Sequence, residues 1–325
     1  IDPTVVIGGK LNSLGSNAKL GQGDFLVAEA DESDGSFLKL SPAIAVVTNI
    51  DEEHMDYYRD INEIKEAFLA FINKVPFYGV SILCLDQKHI QSLIPRIEKR
   101  YLTYGMSSQA DYQVKDVKLL PLGSKFRVTH HSNDLGWFEL AVPGEHNVSN
   151  SLAAVAVARE LDIDREVIRK ALAGFGGVQR RFQIKGEAKG VLVVDDYGHH
   201  PTEIRATLAA AKAALNRRVV CLFQPHRYTR TKHLLEEFFS SFNQADKVVI
   251  MDIYAAGEQP IPGVSGRAIA EGVKAFGHKD VQHISDREQL VSHLVEMLQE
   301  GDLLLTLGAG DVWKLGETIL EKLRQ

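Results

Sequence analysis

The chain has 325 residues, 45% hydrophobic and 25% charged, a composition typical of a globular protein long enough for two domains. Its formal net charge of -6 argues against a general affinity for nucleic acid or for anionic membranes. Cys84 and Cys221 are the only cysteines, and both lie in apolar segments. This placement predicts buried free thiols in a reducing compartment. Because no apolar run could span a bilayer and no signal peptide is evident, we expect a cytoplasmic protein.

Apolar segments in the first half of the chain alternate with helical patterns, as in a parallel α/β sheet. The apolar spacing at 61–75 predicts a helix. Short alternating segments from 101 to 142 predict a small antiparallel sheet appended to the parallel one. Two more helices are predicted, at 147–160 and 164–174. The predicted strands of this half are 5–7, 24–28, 44–48 and 80–85.

A glycine-rich stretch at 174–177 predicts the end of a helix and a joint between two domains. Strands and helices alternate again after this joint, which predicts a second doubly wound domain. The predicted strands of this half are 191–195, 218–223, 247–252, 281–284 and 302–306. The predicted fold is therefore α/β, with two doubly wound, mainly parallel-sheet domains at 1–178 and 179–325.

Four ionisable side chains lie in the turn that follows the first predicted strand of the second domain. They are Asp195, Asp196, His199 and His200. A helical pattern begins directly afterwards at Pro201, and proline favours the first helical turn. Ligands bind at the carboxyl ends of strands in open α/β sheets. Asp196 could instead cap the helix, and one histidine could be an ordinary surface imidazole. So many ionisable groups in one turn favour a binding or catalytic site.

Two acidic loops of the first domain are candidates for a metal site. The loop at 29–37 begins with Glu29, and the loop at 48–56 contains His54. Hard divalent cations prefer carboxylate oxygens, and one imidazole can complete their coordination shell. Solvated acidic loops are the alternative, since such loops are common. Because both loops follow strands that we predict to be neighbours, we favour a metal site, although the residues alone do not select its ligands.

Two further helix starts contain side chains suited to ligand binding. Asn147 and Asn150 lie one helical turn apart, where the helix N-terminus attracts anions and an amide can read a base edge. Helix capping by Asn147 is the alternative. Arg227 and Arg230 lie at another helix start, where the helix dipole disfavours cations by ~0.3–1 kcal/mol. We interpret this pair as a clamp for a carboxylate or phosphate.

Taken in chain order, these motifs resemble the Mur ligase family over essentially the whole sequence. The motifs are GG at 8–9, GSN at 15–17, EADESDGSF at 29–37, TNIDEEHMD at 48–56, HNVSN at 146–150, RRF at 180–182, DDYGHHPTE at 195–203, QPHRYTRT at 224–231, DIYAAGE at 252–258 and GAGD at 308–311. The resemblance implies a central ATP-binding ligase domain at 1–178 and a C-terminal, Rossmann-like domain that binds the amino acid at 179–325. The family's phosphate loop and UDP-sugar domain are not found in this sequence, so we expect this stretch alone to be inactive.

The resemblance implies an ATP-dependent ligase of peptidoglycan precursor synthesis. Within the family, the motifs are closest to the activity that joins L-alanine to the carboxylate of UDP-N-acetylmuramate through an acyl phosphate, with Mg²⁺ as a cofactor. A recycling ligase that adds a preformed peptide to the same UDP-sugar is one alternative, and the stretch 224–230 favours the alanine enzyme over it. A non-catalytic nucleotide-binding relative is the other, and the retained acidic, histidine and arginine motifs disfavour it. No nucleic-acid or membrane partner is expected.

The resemblance also implies roles for individual residues. The implied metal ligands are Glu29 and His54. The implied contacts to the nucleotide and its phosphates are His146, Asn147, Asn150 and Arg181. The residues implied to form the catalytic end of the site, where alanine and the acyl phosphate meet, are His199, His200, Arg227 and Arg230.

Overall fold

The computed structural model describes residues 1–12 and 14–325, and its contacts divide the chain into two compact units. Unit 1 is Ile1–Gly177 and unit 2 is Val178–Gln325. The predicted α/β class is confirmed, because mainly parallel sheets alternate with helices in both units. In the part of the chain that is described, no helix is both long enough and apolar enough to span a membrane.

Unit 1 begins with a sheet of three short strands. They are β1 (Thr4–Val6), β2 (Ala18–Lys19) and β3 (Leu26–Ala28), in the spatial order β2-β1-β3. A 3₁₀ turn at Ser36–Lys39 follows β3. Its Phe37 is buried, with its ring centroid 5.3 Å from that of Phe68 and 5.1 Å from that of Phe71. These contacts anchor the acidic loop at 29–37 to the rest of the unit.

The larger sheet of unit 1 has six strands that follow one another in chain order. They are β4 (Ile44–Val47), β5 (Val80–Cys84), β6 (Tyr101–Gly105), β7 (Tyr112–Leu120), β8 (Gly123–His130) and β9 (Asn133–Leu140). Strands β4 to β7 are parallel, and β7 to β9 form antiparallel hairpins. The helices are α1 (Ile61–Ile72), α2 (Lys88–Leu93), α3 (Glu145–Glu160) and α4 (Arg165–Ala173), with a 3₁₀ turn at Ile94–Arg96.

Two details of unit 1 differ from the sequence prediction. The strands before the two acidic loops are not neighbours in one sheet, since β3 pairs with β1 whereas β4 pairs with β5. Both strands are short and apolar, so their composition does not choose between possible partners. The antiparallel part also begins later than predicted, because β6 is parallel to both β5 and β7.

Unit 2 contains one six-stranded sheet in the order β10-β11-β15-β12-β13-β14. Its strands are β10 (Gln183–Ala188), β11 (Val191–Asp196), β12 (Arg218–Phe223), β13 (Lys247–Ile250), β14 (Val281–His283) and β15 (Asp302–Leu307). All of them are parallel except the edge strand β10. The helices are α5 (Pro201–Ala214), α6 (Tyr228–His233), α7 (Leu235–Phe239), α8 (Gly266–Ala275), α9 (Arg287–Met297) and α10 (Val312–Arg324).

Helices cover both faces of this sheet, which explains why its central strands are apolar without interruption. Along β11, Val191 and Val193 belong to one apolar cluster, and Leu192 and Val194 belong to the other. In a strand that is buried on both faces, nearly all side chains are apolar and do not alternate with polar ones. The central strands β11, β15 and β12 all end at the same edge, and the turns that follow them contain the candidate site.

Candidate active site

The structure brings the turns after β11, β12 and β15 together in unit 2. The ring centroids of His199 and His226 are 5.9 Å apart, although the two residues follow different strands. Gln224, after β12, donates from Nε2 to Asp311 Oδ1 at 2.9 Å, and its Oε1 accepts from Val312 N at 3.1 Å. The three turns therefore form one connected polar network at the carboxyl edge of the sheet.

Asp195 belongs to the support of this edge, because its side chain is completely buried. Its Oδ2 accepts from Arg180 Nε at 3.0 Å, and its Oδ1 accepts from Thr306 Oγ1 at 2.7 Å. The same guanidinium donates to the carbonyl oxygens of Gly308, at 2.6 Å, and Gly310, at 3.2 Å. Asp195 and Arg180 thus link three segments that are far apart in the chain.

Asp196 also has a structural position, and the alternative that it caps helix α5 is wrong. Its Oδ2 accepts from Phe182 N at 2.8 Å, and its Oδ1 accepts from Gly198 N at 2.8 Å and from Thr207 Oγ1 at 3.2 Å. Burial raises the pKa of this carboxyl group above its ordinary value, while the charge of Arg181 opposes the shift. These three hydrogen bonds fix the conformation of the turn after β11.

The N-cap of α5 is His200. The imidazole Nδ1 of His200 accepts from Thr202 N at 3.3 Å, and Glu203 Oε2 accepts from the backbone N–H groups of His199 and His200 at 3.0 and 3.2 Å. This reciprocal arrangement is a capping box in which histidine takes the place of serine or threonine. His200 is 2% exposed, so its backbone and ring are fixed by the helix start.

Arg181, an implied phosphate contact, pairs with Glu203. Its Nη1 lies 3.0 Å from Glu203 Oε1, and its guanidinium lies 5.7 Å from the ring centroid of Tyr197. Burial favours the neutral form of Glu203, but the charges of His199 and Arg181 outweigh this effect and lower its pKa. The Arg181 side chain is about half exposed, so it can still reach an anion from this position.

His226, Arg230 and Tyr254 form the part of the network nearest to His199. The rings of His226 and Tyr254 are stacked, with an interplanar angle of 9° and a centroid distance of 5.6 Å. Arg230 Nη1 lies 3.1 Å from His226 Nδ1 and donates to His226 O at 3.3 Å. Because a guanidinium only donates, Nδ1 of His226 is the acceptor and its imidazole is neutral. Sequence reasoning selected Arg230 and overlooked its partners His226 and Tyr254, although the stretch 224–231 contains the first of them.

Arg227 holds an uncommon backbone conformation at the N-cap of helix α6. Its φ angle is 67°, in the left-handed region that costs a residue with a side chain of order 1–3 kcal/mol. Arg227 N donates to Tyr254 O at 2.9 Å, and Thr231 Oγ1 donates to Arg227 O at 2.8 Å. Strain of this kind concentrates at functional sites, and neighbouring segments hold it in place here.

The glycine-rich turn after β15 is explained by packing. A Cβ at Gly310 would lie 2.4 Å from Gln224 Oε1 and 2.8 Å from Tyr254 Cγ. At Gly308, where φ is 145°, a Cβ would lie 2.6 Å from the backbone oxygen of Gln224. Glycine is needed at both positions because the turns approach each other closely.

The neutral state of His226 predicts a pH-dependent stability. Burial, together with the charges of Arg230, His199 and Arg227, lowers the pKa of His226 to about 4. Between pH 4 and 6.5 the unfolded chain therefore binds more protons at this histidine than the folded protein does. The contribution of neutral His226 to the free energy of unfolding is complete above pH 6.5 and is lost as pH falls toward 4. After a discount for solvent screening, we expect this loss to be about 1–2 kcal/mol.

Urea unfolding at pH 7 and pH 4.5 tests this expectation. The His226→Gln variant should lose less stability on acidification than the wild type, and the exposed His233→Gln variant should behave like the wild type. Equal losses in all three proteins would contradict the assignment of a neutral, buried His226.

The acidic loops of unit 1 lie close together, with His54 of one loop beside Glu32 of the other. His54 Nε2 is 3.5 Å from Glu32 Oε1, and the Tyr58 hydroxyl donates to Glu32 O at 2.6 Å. Glu29 Oε2 accepts from Gly8 N at 2.5 Å. His54 therefore lies beside Glu32, and Glu29 contacts the turn after β1. That Glu29 and His54 share one metal ion stays a prediction.

The donor chemistry of these loops suits Mg²⁺ that is bound mainly through phosphates. Carboxylates and one imidazole are present, yet no group of three His, Cys, Asp or Glu residues that could hold a metal occurs within 1–12 and 14–325. Mg²⁺ commonly takes only one or two protein carboxylates and completes its shell with substrate phosphates and water. The residues therefore fit a cation that enters with a nucleotide.

The implied nucleotide contacts His146, Asn147 and Asn150 lie in the first two turns of α3. The N-cap of this helix is Gly144, and Asn147 Nδ2 donates to Pro143 O at 2.7 Å, so Asn147 does not take the capping position. His146, on the first turn, and Asn150, on the second turn, are both exposed. Asn147 therefore braces the helix start, while its neighbours face solvent.

Two families of Mur ligase domains match this chain. The family of Mur ligase middle domains matches residues 10–158, and the glutamate ligase domain family of Mur ligases matches residues 180–310. The chain is 60% identical over 325 residues to UDP-N-acetylmuramate–L-alanine ligase of Syntrophotalea carbinolica, covering 100% of the chain and 71% of that protein. It is 56% identical over 324 residues to the protein of the same name from Geotalea uraniireducens, covering 100% of the chain and 71% of that protein.

Solved structures show the same fold. The UDP-N-acetylmuramate-alanine ligase of Thermotoga maritima aligns with a TM-score of 0.81 at 27% identity, over 99% of this chain and 69% of that chain. A murein peptide ligase from Psychrobacter arcticus aligns with a TM-score of 0.69 at 21% identity, over 100% of this chain and 72% of that chain. The second likeness is one of fold alone.

Proposed function

Because this chain belongs to the Mur ligase family, we infer that the full-length protein performs ATP-dependent joining of L-alanine to the carboxylate of UDP-N-acetylmuramate in peptidoglycan precursor synthesis. The observation that carries this inference is the 60% identity, over all 325 residues, to a ligase of that name. The polar network at the carboxyl edge of the unit 2 sheet supports it, since it offers cations and imidazoles to an anionic substrate.

In the proposed reaction, the substrate carboxylate attacks the γ-phosphorus of ATP, which gives an acyl phosphate and ADP. The amine of L-alanine then attacks the acyl carbon, an amide bond forms, and inorganic phosphate leaves. The amine must lose its protons before or during this attack. The second step therefore requires a group that holds the carboxylate of alanine and a group that orients or deprotonates the amine.

Unit 2 supplies groups of both kinds. Arg227 and Arg230 are proposed to hold the carboxylate of alanine, because guanidinium groups match a carboxylate in shape and charge. His199 is proposed to orient the amine or accept its proton, with Nδ1 of its ring 3.0 Å from Tyr197 O. His200 is proposed to act through the helix start that it caps, since its ring is buried there. Arg181 is proposed to contact a phosphate.

Unit 1 is proposed to bind the nucleotide. His146, Asn147 and Asn150 lie in the first two turns of α3, and the helix dipole and amide groups at this end favour an anionic nucleotide. Glu29 and His54 are the proposed ligands of Mg²⁺. When bound, the ion neutralises negative charge on the transferring phosphoryl group.

An assay of the full-length protein tests this function and its metal requirement. With UDP-N-acetylmuramate, L-alanine, ATP and Mg²⁺, we expect ADP, phosphate and the alanyl product in equal amounts. Excess EDTA should abolish turnover and added Mg²⁺ should restore it, because the phosphoryl charge is otherwise uncompensated. ATP consumption that is independent of L-alanine would contradict the proposal.

The same assay separates the recycling ligase from the alanine enzyme. A preformed peptide offered in place of L-alanine should give no product. Product formation from the peptide but not from L-alanine would show that the protein is the recycling ligase.

A further inference from the structure

The segment 252–258 follows β13 and contacts the turn that holds the two arginines. Tyr254 N donates to Pro225 O at 2.8 Å, and Arg227 N donates to Tyr254 O at 2.9 Å. His226 and Tyr254 also form a parallel β-bridge, and their rings stack. The backbone of Tyr254 is thus joined to the turn 224–227 by two hydrogen bonds, which together make the β-bridge.

Glu258 extends this connection to helix α6. Its Oε2 accepts from Thr229 N at 3.0 Å, and its Oε1 accepts from Thr229 Oγ1 at 2.6 Å. The N-cap of α6 is Arg227, whose side chain makes no capping hydrogen bond. The carboxylate of Glu258 therefore satisfies a backbone donor of the first turn in place of a local N-cap side chain.

Helix α6 needs this external cap more than most helices do. It has six residues, and helices this short are not stable without tertiary contacts. Its N-cap position also places Arg227 where the helix dipole opposes positive charge. A carboxylate at the same end offsets that repulsion.

The conformation of the loop directs Glu258 back toward the helix. Ala256 and Gly257 both have positive φ angles, 49° and 89°, and Glu258 N donates to Ala255 O at 3.0 Å. Burial raises the pKa of Glu258, but the hydrogen bonds from Thr229 and the backbone of Tyr228 outweigh it and lower the pKa. Glu258 is thus ionised at neutral pH.

We propose that Glu258 is a positioning residue that holds the start of α6 so that Arg227 and Arg230 present their guanidinium groups to the carboxylate of L-alanine. Glu258 acts through the helix and does not itself contact the substrate. This inference rests on the proposed function for the identity of the substrate. The geometry of the cap stands independently of it.

Kinetics of the full-length protein test the proposal. Loss of two charge-assisted hydrogen bonds in Glu258→Ala should raise the KM for L-alanine about ten- to hundredfold, with little change in the KM for ATP. Glu258→Gln retains one acceptor oxygen and should fall between Glu258→Ala and the wild type. The exposed Glu271→Ala, on helix α8, is the matched control and should leave both constants unchanged. An unchanged KM for L-alanine in Glu258→Ala would overturn the proposal.

A double-mutant cycle distinguishes positioning from direct substrate contact. Thr229→Val removes the hydroxyl donor, and its effect on the KM for L-alanine should be smaller in the Glu258→Ala background than in the wild type. Independent, multiplicative effects of the two changes would overturn the proposal, since Glu258 would then act through another group.

Hydrogen–deuterium exchange keeps this test separate from the proposed function. Amides at 228–231 should exchange faster in Glu258→Ala and Glu258→Gln than in the wild type and Glu271→Ala, with no substrate present. Unchanged exchange would overturn the cap itself. If the variants show this exchange pattern but the wild-type protein does not use L-alanine, the proposed function is contradicted and the cap remains supported.

Discussion

Replacing Asp195 with alanine is expected to lower the free energy of unfolding by about 3–5 kcal/mol. The Asp195 carboxylate is 0% exposed and is the buried partner of Arg180, whose side chain is only 23% exposed. Its removal leaves Arg180 without this counter-charge and takes away the nearer of two acceptors of Thr306 Oγ1. Because breaking one side of a buried pair leaves an uncompensated charge, the cost exceeds that of the lost contact alone.

An exposed pair of the same chemistry provides the control. Glu66 accepts from both terminal nitrogens of Arg96 at 2.6 and 2.7 Å, but both side chains are more than half exposed. Exposed pairs contribute about 0–1 kcal/mol, so Glu66→Ala should have a small effect. Denaturant unfolding measures both variants. A cost for Asp195→Ala no larger than that for Glu66→Ala would refute the structural role of the buried pair.

A second variant shows whether the cost comes from the unpaired charge. In the Asp195→Leu background, the additional change Arg180→Met removes the guanidinium that would otherwise remain buried. It should recover part of the lost stability, since apolar replacement of both partners is far less costly than removal of one. A further loss on adding Arg180→Met would show that Arg180 stabilises the turn through Gly308 and Gly310 alone.

Replacing Arg230 with alanine is expected to raise the KM for L-alanine in the full-length protein roughly 10- to 150-fold, because a charge-assisted hydrogen bond contributes about 1.5–3 kcal/mol. Arg230 stands beside the neutral His226, with its Nη1 3.1 Å from the ring Nδ1. The neutral imidazole directs this guanidinium without neutralising its positive charge. The KM for ATP should change far less.

Two variants make this prediction specific. Arg230→Lys retains the charge but loses the planar fork of donors, so it should restore only part of the affinity for alanine. Arg267→Ala, at an exposed position on helix α8, removes an arginine elsewhere in the same unit and should leave the KM for L-alanine unchanged. Equal changes in the KM for L-alanine and for ATP in Arg230→Ala would remove this residue from the alanine clamp.

The strands of the second unit could be predicted to within a few residues because their sequence is nearly uniform in character. Residues 191–194 are apolar without a break, and a strand with helices on both faces requires that pattern. The edge strand Gln183–Ala188 could not be predicted in this way, since it is largely polar and half-exposed and its register shifts between Ile184 and Gly186. Its pairing with β11, and not its composition, makes it a strand.

The turns of the candidate site could be recognised in the sequence because ionisable and polar side chains cluster directly after the apolar strands. The roles of the individual side chains in these turns could not be recognised, since the sequence does not show whether a carboxylate supports a turn or faces a ligand. Asp196 binds Phe182 N and Gly198 N in the structure, while the cap of α5 is His200. Glu258 gave no local signal, because the helix that it caps begins thirty positions before it, at Tyr228.

The sequence by itself determined the α/β class, the positions of the apolar strands and the family, because these depend on local periodicity and on motifs that are contiguous in the chain. Only the tertiary structure decided which strands pair, which acidic residue lies beside His54 and how the network of Arg180, His226 and Glu258 is connected. These contacts join residues 15 to 130 positions apart for Arg180 and 29 for Glu258. Hydrogen bonds over such separations form only when the sheet brings distant turns to one edge, and no local pattern specifies their partners.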